Sequence, residues 1–236
     1  MFLDVDGTLI EIADTPDGVR VEPRVDEILR GLDRRFDHAV ALVSGRSIAQ
    51  LDRLFAPLRH NVAGLHGLEW RGPDGQIERA KCSATGLDRI RASFAQFTDD
   101  HPRAIMEDKG AAVALHFRRA PGLAAKADAL AEKLAADAIA NGDDGLVLQR
   151  GKMVVEFRPR GPHKGDVVGA FMTAPPFKGR IPVFIGDDVT DEDGFAPVNR
   201  LSRHSIRVGP AAISAATWRI DGVAELKDWL GGLIAS

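Results

Sequence analysis

Apolar positions in this chain follow two successive rhythms. Phe2-Leu3 opens a short apolar run that predicts a buried strand, Phe2 to Val5, with Asp4 and Asp6 at its carboxyl end. Residues 10–22, rich in Asp, Pro and Gly, read as a loop. From about Pro23, Val25, Ile28, Leu29 and Leu32 recur at helical spacing, with proline in the first turn. Ala39 to Val43 is a second apolar run and ends in Ser44-Gly45-Arg46. Ser47 and Gln50 then form a capping-box pattern, opening a helix with Ile48, Leu51, Leu54 and Phe55 on one face. Asn61 to Trp70 reads as extended, with Gly64 and Gly67 inside it marking a bend or a close approach, and Pro73-Asp74-Gly75 as a turn. Strand, helix, strand, helix, strand predicts a parallel sheet.

The rhythm changes near residue 82. Leu87 to Thr98 is helical, with Leu87, Ile90, Arg91, Phe94 and Phe97 on one side. Two extended pieces follow, Ala104 to Lys109 and Ala111 to Arg118. An alanine-rich helix from about Leu123 to Ala140 ends at Asn141-Gly142. Two more extended pieces come next, Leu146 to Arg150 and Lys152 to Arg158. This αββαββ pattern predicts an inserted domain, an antiparallel sheet with two helices on one face. Its strands alternate: Val113, Leu115 and Phe117 face one way, as do Met153, Val155 and Phe157, while His116, Arg118, Lys152, Glu156 and Arg158 face the other. That polar face is either a solvated surface with weak ion pairs or a lid surface for a hydroxyl-rich, anionic ligand.

After Pro159 to Pro162 the first rhythm resumes. His163-Lys164-Gly165 opens a helix whose apolar side is Val167, Val168, Phe171 and Met172. Ile181 to Ile185 predicts a buried strand running into Gly186-Asp187-Asp188-Val189-Thr190-Asp191-Glu192-Asp193. His204 to Val208 is a further strand. A last helix, about Gly222 to Leu230, turns Val223, Leu226, Trp229 and Leu230 to the core. The expected organisation is therefore an α/β fold: a doubly wound, parallel-sheet (Rossmann-like) core of residues 1–81 and 161–236, with residues 82–160 inserted. The first strand begins at residue 1, where a strand this central would ordinarily have more chain before it.

Composition narrows the function. With 236 residues, 44% hydrophobic and 28% charged, the chain can bury a sizeable core. A net charge of -3 and the lack of a basic run give no case for nucleic acid or a membrane surface. No apolar stretch reaches the ~18 residues of a membrane span, and no signal peptide is visible. The single cysteine, Cys82, excludes an internal disulfide and suits a reducing compartment, so a cytoplasmic, monomeric protein is expected.

The chemistry collects at strand ends. Asp4 and Asp6 sit two apart, so a strand points them the same way, and Gly7 allows a tight turn with amides open to an anion. Such a D-x-D-G stretch suits Mg2+ and phosphate, but it also starts calcium loops and ordinary turns. The calcium-loop reading fails because its twelfth position, which needs a bidentate acid, is Thr15. Ser44 lies at a strand end before a helix N-terminus, a good anion site. Lys164 stands at a helix start, where a cation opposes the dipole unless it meets an anion; a solvent-facing lysine is the alternative. The acids of 187–193 either favour a helix start or hold a cation. Doubly wound sheets bind ligands outside the carboxyl ends of their strands, so Asp4, Asp6, Ser44 and Asp187 are expected at one site with Lys164 beside them.

Asp4-Val5-Asp6-Gly7-Thr8, Ser44-Gly45-Arg46, Lys164-Gly165 and Gly186-Asp187-Asp188 resemble, in this order, the four motifs of the haloacid dehalogenase superfamily, and the αββαββ insert resembles its type C2B cap. Gly64-Leu65-His66-Gly67-Leu68-Glu69, Glu107-Asp108-Lys109, His116-Phe117-Arg118, Lys152 through Pro159 and Gly186 through Glu192 are similar to the trehalose-6-phosphate phosphatases in particular. One departure is Pro162-His163, where that family is expected to carry an aromatic residue and an Asp. The resemblance implies a Mg2+-dependent phosphatase acting on a small-molecule sugar phosphate. It implies Asp4 as nucleophile and Asp6 as acid and base. Mg2+ would be held by Asp4, the Asp6 carbonyl and Asp187, with Asp188 and Asp191 in support. Phosphate would be held by Ser44 and Lys164. Arg46, His66, Glu107, Lys109, His116, Arg118, Lys152, Glu156 and Arg158 become candidates for substrate contact. The cap is expected to open and close on hinges near 79–85 and 159–163. Sucrose-phosphate or mannosyl-phosphoglycerate phosphatases, which share this cap type, and a phosphomutase of the same superfamily stay as alternatives, as does a non-catalytic phospho-ligand sensor.

Overall fold

The structure, a computed structural model, describes residues 1–57, 60–81, 86–143, 145–201, 204–211 and 213–235. Cys82 and part of the first expected hinge lie outside the described residues. In chain order the elements are β1 (Phe2–Leu3), α1 (Pro23–Arg35), β2 (Ala41–Val43), α2 (Ile48–Leu54), β3 (Asn61–Gly64), β4 (Glu69–Arg71), β5 (Ile77–Arg79), α3 (Leu87–Asp100), β6 (Ile105–Asp108), β7 (Val113–His116), α4 (Ala124–Ala140), β8 (Leu146–Gly151), β9 (Val154–Pro159), α5 (Lys164–Met172), β10 (Phe184–Gly186), α6 (Glu192–Leu201), β11 (Ser205–Val208), β12 (Trp218–Ile220) and α7 (Val223–Ala235). They make two compact units. One comprises Met1–Ile12, Val19–Ala80 and Pro162–Ser236; the other comprises Ala13–Gly18 and Lys81–Gly161.

In the first unit an eight-stranded sheet runs β12-β11-β10-β1-β2-β3-β4-β5. β1 lies between β10 and β2, parallel to both, with Leu3 opposite Ile185 on one side and Leu42 on the other. Alternation sends side chains to two cores. Leu3, Leu42, Ile185 and Ile206 meet Val25, Ile28, Leu29 and Leu32 of α1 and Leu226 and Leu230 of α7. Phe2, Ala41, Val43 and Phe184 meet Val167, Val168 and Phe171 of α5 and Phe195 and Val198 of α6. Both faces are covered, which is why these strands read as unbroken apolar runs. Full burial of each such Leu or Phe contributes about 1.5–3 kcal/mol.

The sheet departs from expectation at its edges. Asn61 to Trp70 is not one extended piece. After β3 the chain turns through Leu65–Gly67, and β4 returns antiparallel to β3, followed by antiparallel β5. Leu65, His66 and Gly67 all take positive φ, which reverses the chain. β12 adds a parallel strand at the opposite edge. Ile181 is 70% exposed and the strand there starts only at Phe184. In α7 it is Lys227, not Trp229, that joins the buried stripe, drawn in by Glu22 at 3.0 and 3.1 Å.

In the second unit the four strands run β6-β7-β9-β8, all antiparallel. Val113, Leu115, Val155 and Phe157 face α3 and α4, where Ile90 and Phe94 pack beside Ala127 and Ala131. Ala127 and Ala131 of α4 are fully buried, so that helix lies close to the sheet. Arg91 does not join this apolar face; it bonds Asp88 at 2.7 Å and Asp108 at 2.9 Å. Lys152 and Met153 form the turn between β8 and β9, with Met153 at φ 62°.

Candidate active site

The carboxyl ends of β1, β2 and β10 bring the first unit's polar residues together. Asp4 directly follows β1, and its N–H donates to the carbonyl of Ile185 at 2.9 Å. Asp187 directly follows β10, and Ser44 directly follows β2. Gly7 adopts φ 86°, and a Cβ there would lie 2.3 Å from Asp187 Oδ2. Glycine at this position therefore has two causes, backbone conformation and the approach of the acid. Asp4, Asp187 and Asp191 are all buried, and one carboxylate oxygen from each lies within 4.8 Å of the others. These are hard oxygen donors with excess negative charge, the chemistry that holds a divalent cation.

Lys164 is the single ammonium among them. It is 2% exposed, and its Nζ donates to Asp4 Oδ1 at 2.8 Å and Asp191 Oδ1 at 2.7 Å. Burial alone would lower the Lys164 ammonium; Asp191 and Asp4 outweigh it and raise it. Burial and the Asp191 carboxylate push the Asp4 carboxyl well above its usual range, with Asp187 adding to the rise and Lys164 opposing it. An ion pair by itself would lower the acid, so the rise at Asp4 comes from desolvation and the two other carboxylates.

Asp191 has a second task. Its Oδ2 accepts the N–H groups of Asp187 and Asp188, each at 2.9 Å, which shapes the turn presenting Asp187. Asp188 caps the short helical turn that follows. Thr8 Oγ1 donates to Asp187 Oδ1 at 3.3 Å. Farther along the acidic run, Glu192 accepts from Arg207 at 3.0 Å, Ser214 Oγ at 2.7 Å and the N–H of Ala215 at 2.7 Å. Arg207 also reaches the carbonyl of Asp188 at 3.3 Å. The acids are thus held apart by specific donors.

Asp6 and Ser44 form the other side. Both carboxylate oxygens of Asp6 accept from Arg46, from Nε at 2.6 Å and from Nη2 at 2.7 Å. The N–H of Arg46 donates to Ser44 Oγ at 3.1 Å. His163 caps α5: its Nδ1 accepts from the N–H groups of Gly165 and Asp166 at 3.1 and 3.3 Å. A ring nitrogen does there what a Ser, Thr, Asp or Asn side-chain oxygen does at most caps. His66 sits in the turn after β3, with its N–H on the carbonyl of Ser44 at 2.9 Å.

The second unit gathers another set. Glu107, Ala114, Glu156 and Gln149 lie in one cross-strand row. Lys109 Nζ donates to Glu156 Oε2 at 2.5 Å and lies 4.0 Å from Glu107, whose carboxylate also meets His116 Nε2 at 2.9 Å. Glu156 and Arg158 are buried, so this face is a packed polar network and not an open, solvated surface. Arg158 bonds Gln149 at 3.0 Å and the carbonyl of Pro159 at 3.2 Å. Arg118 bonds two carbonyls, of Ala13 at 3.0 Å and of Lys152 at 2.7 Å. Glu107, Lys109, His116 and Glu156 thus converge. Arg118 and Arg158 are engaged with the main chain and Gln149, and Lys152 lies at a turn.

The trehalose-phosphatase family profile matches residues 2–227. The chain belongs to the trehalose-phosphatase family. Among individual proteins, it is 45% identical over 210 residues to a probable trehalose-phosphate phosphatase of Sinorhizobium fredii, covering 89% of this chain and 77% of that one. It is 42% identical over 229 residues to the trehalose-6-phosphate phosphatase of Escherichia coli, covering 97% and 84%. The C-terminal domain of the C. albicans trehalose-6-phosphate phosphatase superposes with a TM-score of 0.88 at 23% identity, covering 99% of this chain and 91% of that one. A phosphatase of the haloalkanoate (HAD) enzyme superfamily from Bacteroides thetaiotaomicron has a similar fold, with a TM-score of 0.60 at 16% identity, covering 98% of this chain and 93% of that one. The sequence carried no signal for Arg207, and Thr8 and Glu69 stood within its motifs without an assigned role; the capping role of His163 had a hint, its place directly before Lys164-Gly165-Asp166.

Proposed function

We propose that the protein hydrolyses trehalose 6-phosphate to trehalose and inorganic phosphate through an aspartyl-phosphate on Asp4. One observation carries the reading. A buried carboxylate after the central strand is paired with a buried lysine, with two further carboxylates on one side and Ser44 and Asp6 on the other. Its family membership supports the substrate.

In the first step an Asp4 oxygen attacks phosphorus and the bond from phosphorus to the sugar oxygen breaks. Asp6 gives its proton to that departing oxygen. In the second step water attacks the aspartyl-phosphate, Asp6 takes a proton from that water, and the bond to Asp4 breaks, releasing phosphate. Arg46 bonds both oxygens of Asp6 and orients the carboxyl, leaving each oxygen a further lone pair for the proton it exchanges. Lys164 and Ser44 hold phosphoryl oxygens and offset charge as it shifts. Mg2+ would be held by Asp4, Asp187 and the Asp6 carbonyl, and when bound supplies positive charge to the phosphoryl group. Asp191 is the poorer ligand of the carboxylate cluster, since Lys164 and two amides already occupy its oxygens. The Glu107, Lys109, His116 and Glu156 group recognises sugar hydroxyls, with alternating acids and bases offering both acceptors and donors.

The test is phosphate release across a panel of sugar phosphates, with Mg2+ and with chelator. Preferred release from trehalose 6-phosphate, lost with chelator, is expected. Equal or better release from sucrose 6-phosphate or mannosyl-phosphoglycerate overturns the substrate assignment. Isomer formation without free phosphate overturns the reaction.

A further inference from the structure

The Leu65–Gly67 turn holds a conformation that its side chains do not favour. Leu65 and His66 adopt φ 50° and 57°, the left-handed region. Strain of this kind persists where surrounding contacts impose it, and here those contacts lead to the phosphate-binding side of the site. We propose that the segment Leu65–Glu69 is a clamp on the Ser44-Gly45-Arg46 loop, with His66 as its positioning residue. The inference rests on the phosphatase reading only for what the loop binds.

Four contacts define the clamp. The His66 N–H donates to the carbonyl of Ser44 at 2.9 Å, and the Leu65 N–H to the carbonyl of Arg46 at 2.9 Å. Glu69 Oε1 accepts the N–H of Ile48 at 2.6 Å, tying down the helix start that follows the loop. The His66 imidazole covers Gly45: a Cβ on Gly45 would lie 2.6 Å from both Cε1 and Nε2 of the ring. Gly45 is not among the residues at positive φ, so the ring, and not the backbone, is what requires glycine there. The same turn also abuts the start of α5. A Cβ on Gly67 would lie 2.8 Å from Val167 Cγ2 and 2.9 Å from the carbonyl oxygen of His163, next to Lys164. One short segment thus sets both phosphate-binding residues, Ser44 from one side and the Lys164 backbone from the other.

A turn that served only stability would lose stability and function together. A strained clamp separates them. His66→Gly removes the ring and the left-handed strain at position 66 while keeping the N–H. Its melting temperature is expected to match or exceed that of the wild type. Its affinity for inorganic phosphate, by calorimetry with Mg2+ present, and its kcat on p-nitrophenyl phosphate are expected to fall roughly tenfold. Gly45→Ala is expected to weaken phosphate binding by clashing with the ring, and adding His66→Gly restores it to the level of the single His66 variant. His66→Asn, which tolerates left-handed φ, reads removal of the ring alone if the glycine variant does not fold. The proposal is overturned if the His66 variants bind phosphate within about twofold of wild type, or if the second substitution fails to relieve Gly45→Ala. A wild type that binds phosphate but hydrolyses no phosphomonoester sinks the phosphatase reading, while weaker binding by the His66 variants still upholds the clamp.

Discussion

Replacing Asp4 by Asn should stop turnover and raise stability together when no metal is bound. Asp4 has two carboxylate neighbours with oxygens within 4.8 Å and one ammonium at 2.8 Å. At an effective dielectric constant of about 20, each repulsion costs about 3.5 kcal/mol or more, and the attraction returns about 6 kcal/mol. The pairwise balance is thus unfavourable by about 1 kcal/mol, before the several kcal/mol of desolvation that a buried ion carries. Asparagine keeps an oxygen for Lys164 and turns an NH2 donor toward the acids. One kcal/mol moves the melting temperature of a protein this size by about 2–4 °C. In chelator, Asp4→Asn should therefore melt at least ~2–4 °C above wild type.

Magnesium should invert the order. At 100 times its Kd a ligand adds about 2.7 kcal/mol to the state it binds, so the wild type should gain roughly 5–10 °C. The variant lacks one charged ligand and should gain much less. Differential scanning calorimetry in chelator and in Mg2+, with phosphate release measured alongside, reads all three quantities. A variant less stable than wild type in chelator would show that Lys164 dominates the cluster. Equal stabilisation of both proteins by Mg2+ would remove Asp4 from the metal site.

Three further outcomes are expected. Asp6→Asn should lower kcat on trehalose 6-phosphate about 10²–10⁴-fold and on p-nitrophenyl phosphate much less, because the nitrophenolate leaves without a proton; equal losses would remove Asp6 from proton transfer. Glu156→Ala should raise KM for trehalose 6-phosphate more than for p-nitrophenyl phosphate, and equal effects would place Glu156 outside sugar recognition. Burial holds the His60 imidazole below its usual pKa, against the pull of Asp33 and Asp26. The unfolded chain therefore takes up a proton that the folded one resists, so stability from this group is present above about pH 6.5 and falls as pH drops below it. Urea unfolding at pH 7.5 and pH 5.5 should show this loss, and His60→Gln should reduce it; an unchanged slope in the variant would assign it to other groups.

Much of the site is legible in the sequence because its residues stand at strand ends, where an apolar run stops and a polar residue must begin. Asp4, Ser44 and Asp187 each directly follow a strand, and the three strands are neighbours in the sheet. What the sequence hides is set by distant partners. Lys227 lies on the buried stripe of α7 because Glu22, 205 positions away, receives its charge. Arg91 leaves the apolar face of α3 for Asp108 on a neighbouring strand. At the β3–β4 reversal Gly64 and Gly67 mark a bend, but its extent depends on left-handed Leu65 and His66, of which Leu65 carries no turn signal. β12 has three residues, and its Trp218 is 61% exposed, so no burial pattern marks it.

Lys164 shows how these levels connect. At the start of α5 a cation opposes the helix dipole, an unfavourable placement that an anion drawing it inward offsets. The structure supplies two, Asp4 and Asp191, and buries the ammonium between them. That arrangement solves the lysine's problem and creates another. Asp187 brings a third carboxylate to the same place, so three negative charges face one positive. Hydrogen bonds from Thr8 and from the amides of Asp187 and Asp188 spread this charge without cancelling it. The deficit is two charges, the amount a divalent cation brings. With it the cluster would be neutral, and in the proposed reaction Asp4 would meet a phosphate dianion without net repulsion from its own surroundings. On the proposed mechanism the acidic run after β10, costly in isolation, is thus what would allow one buried lysine and one metal to leave Asp4 usable as a nucleophile.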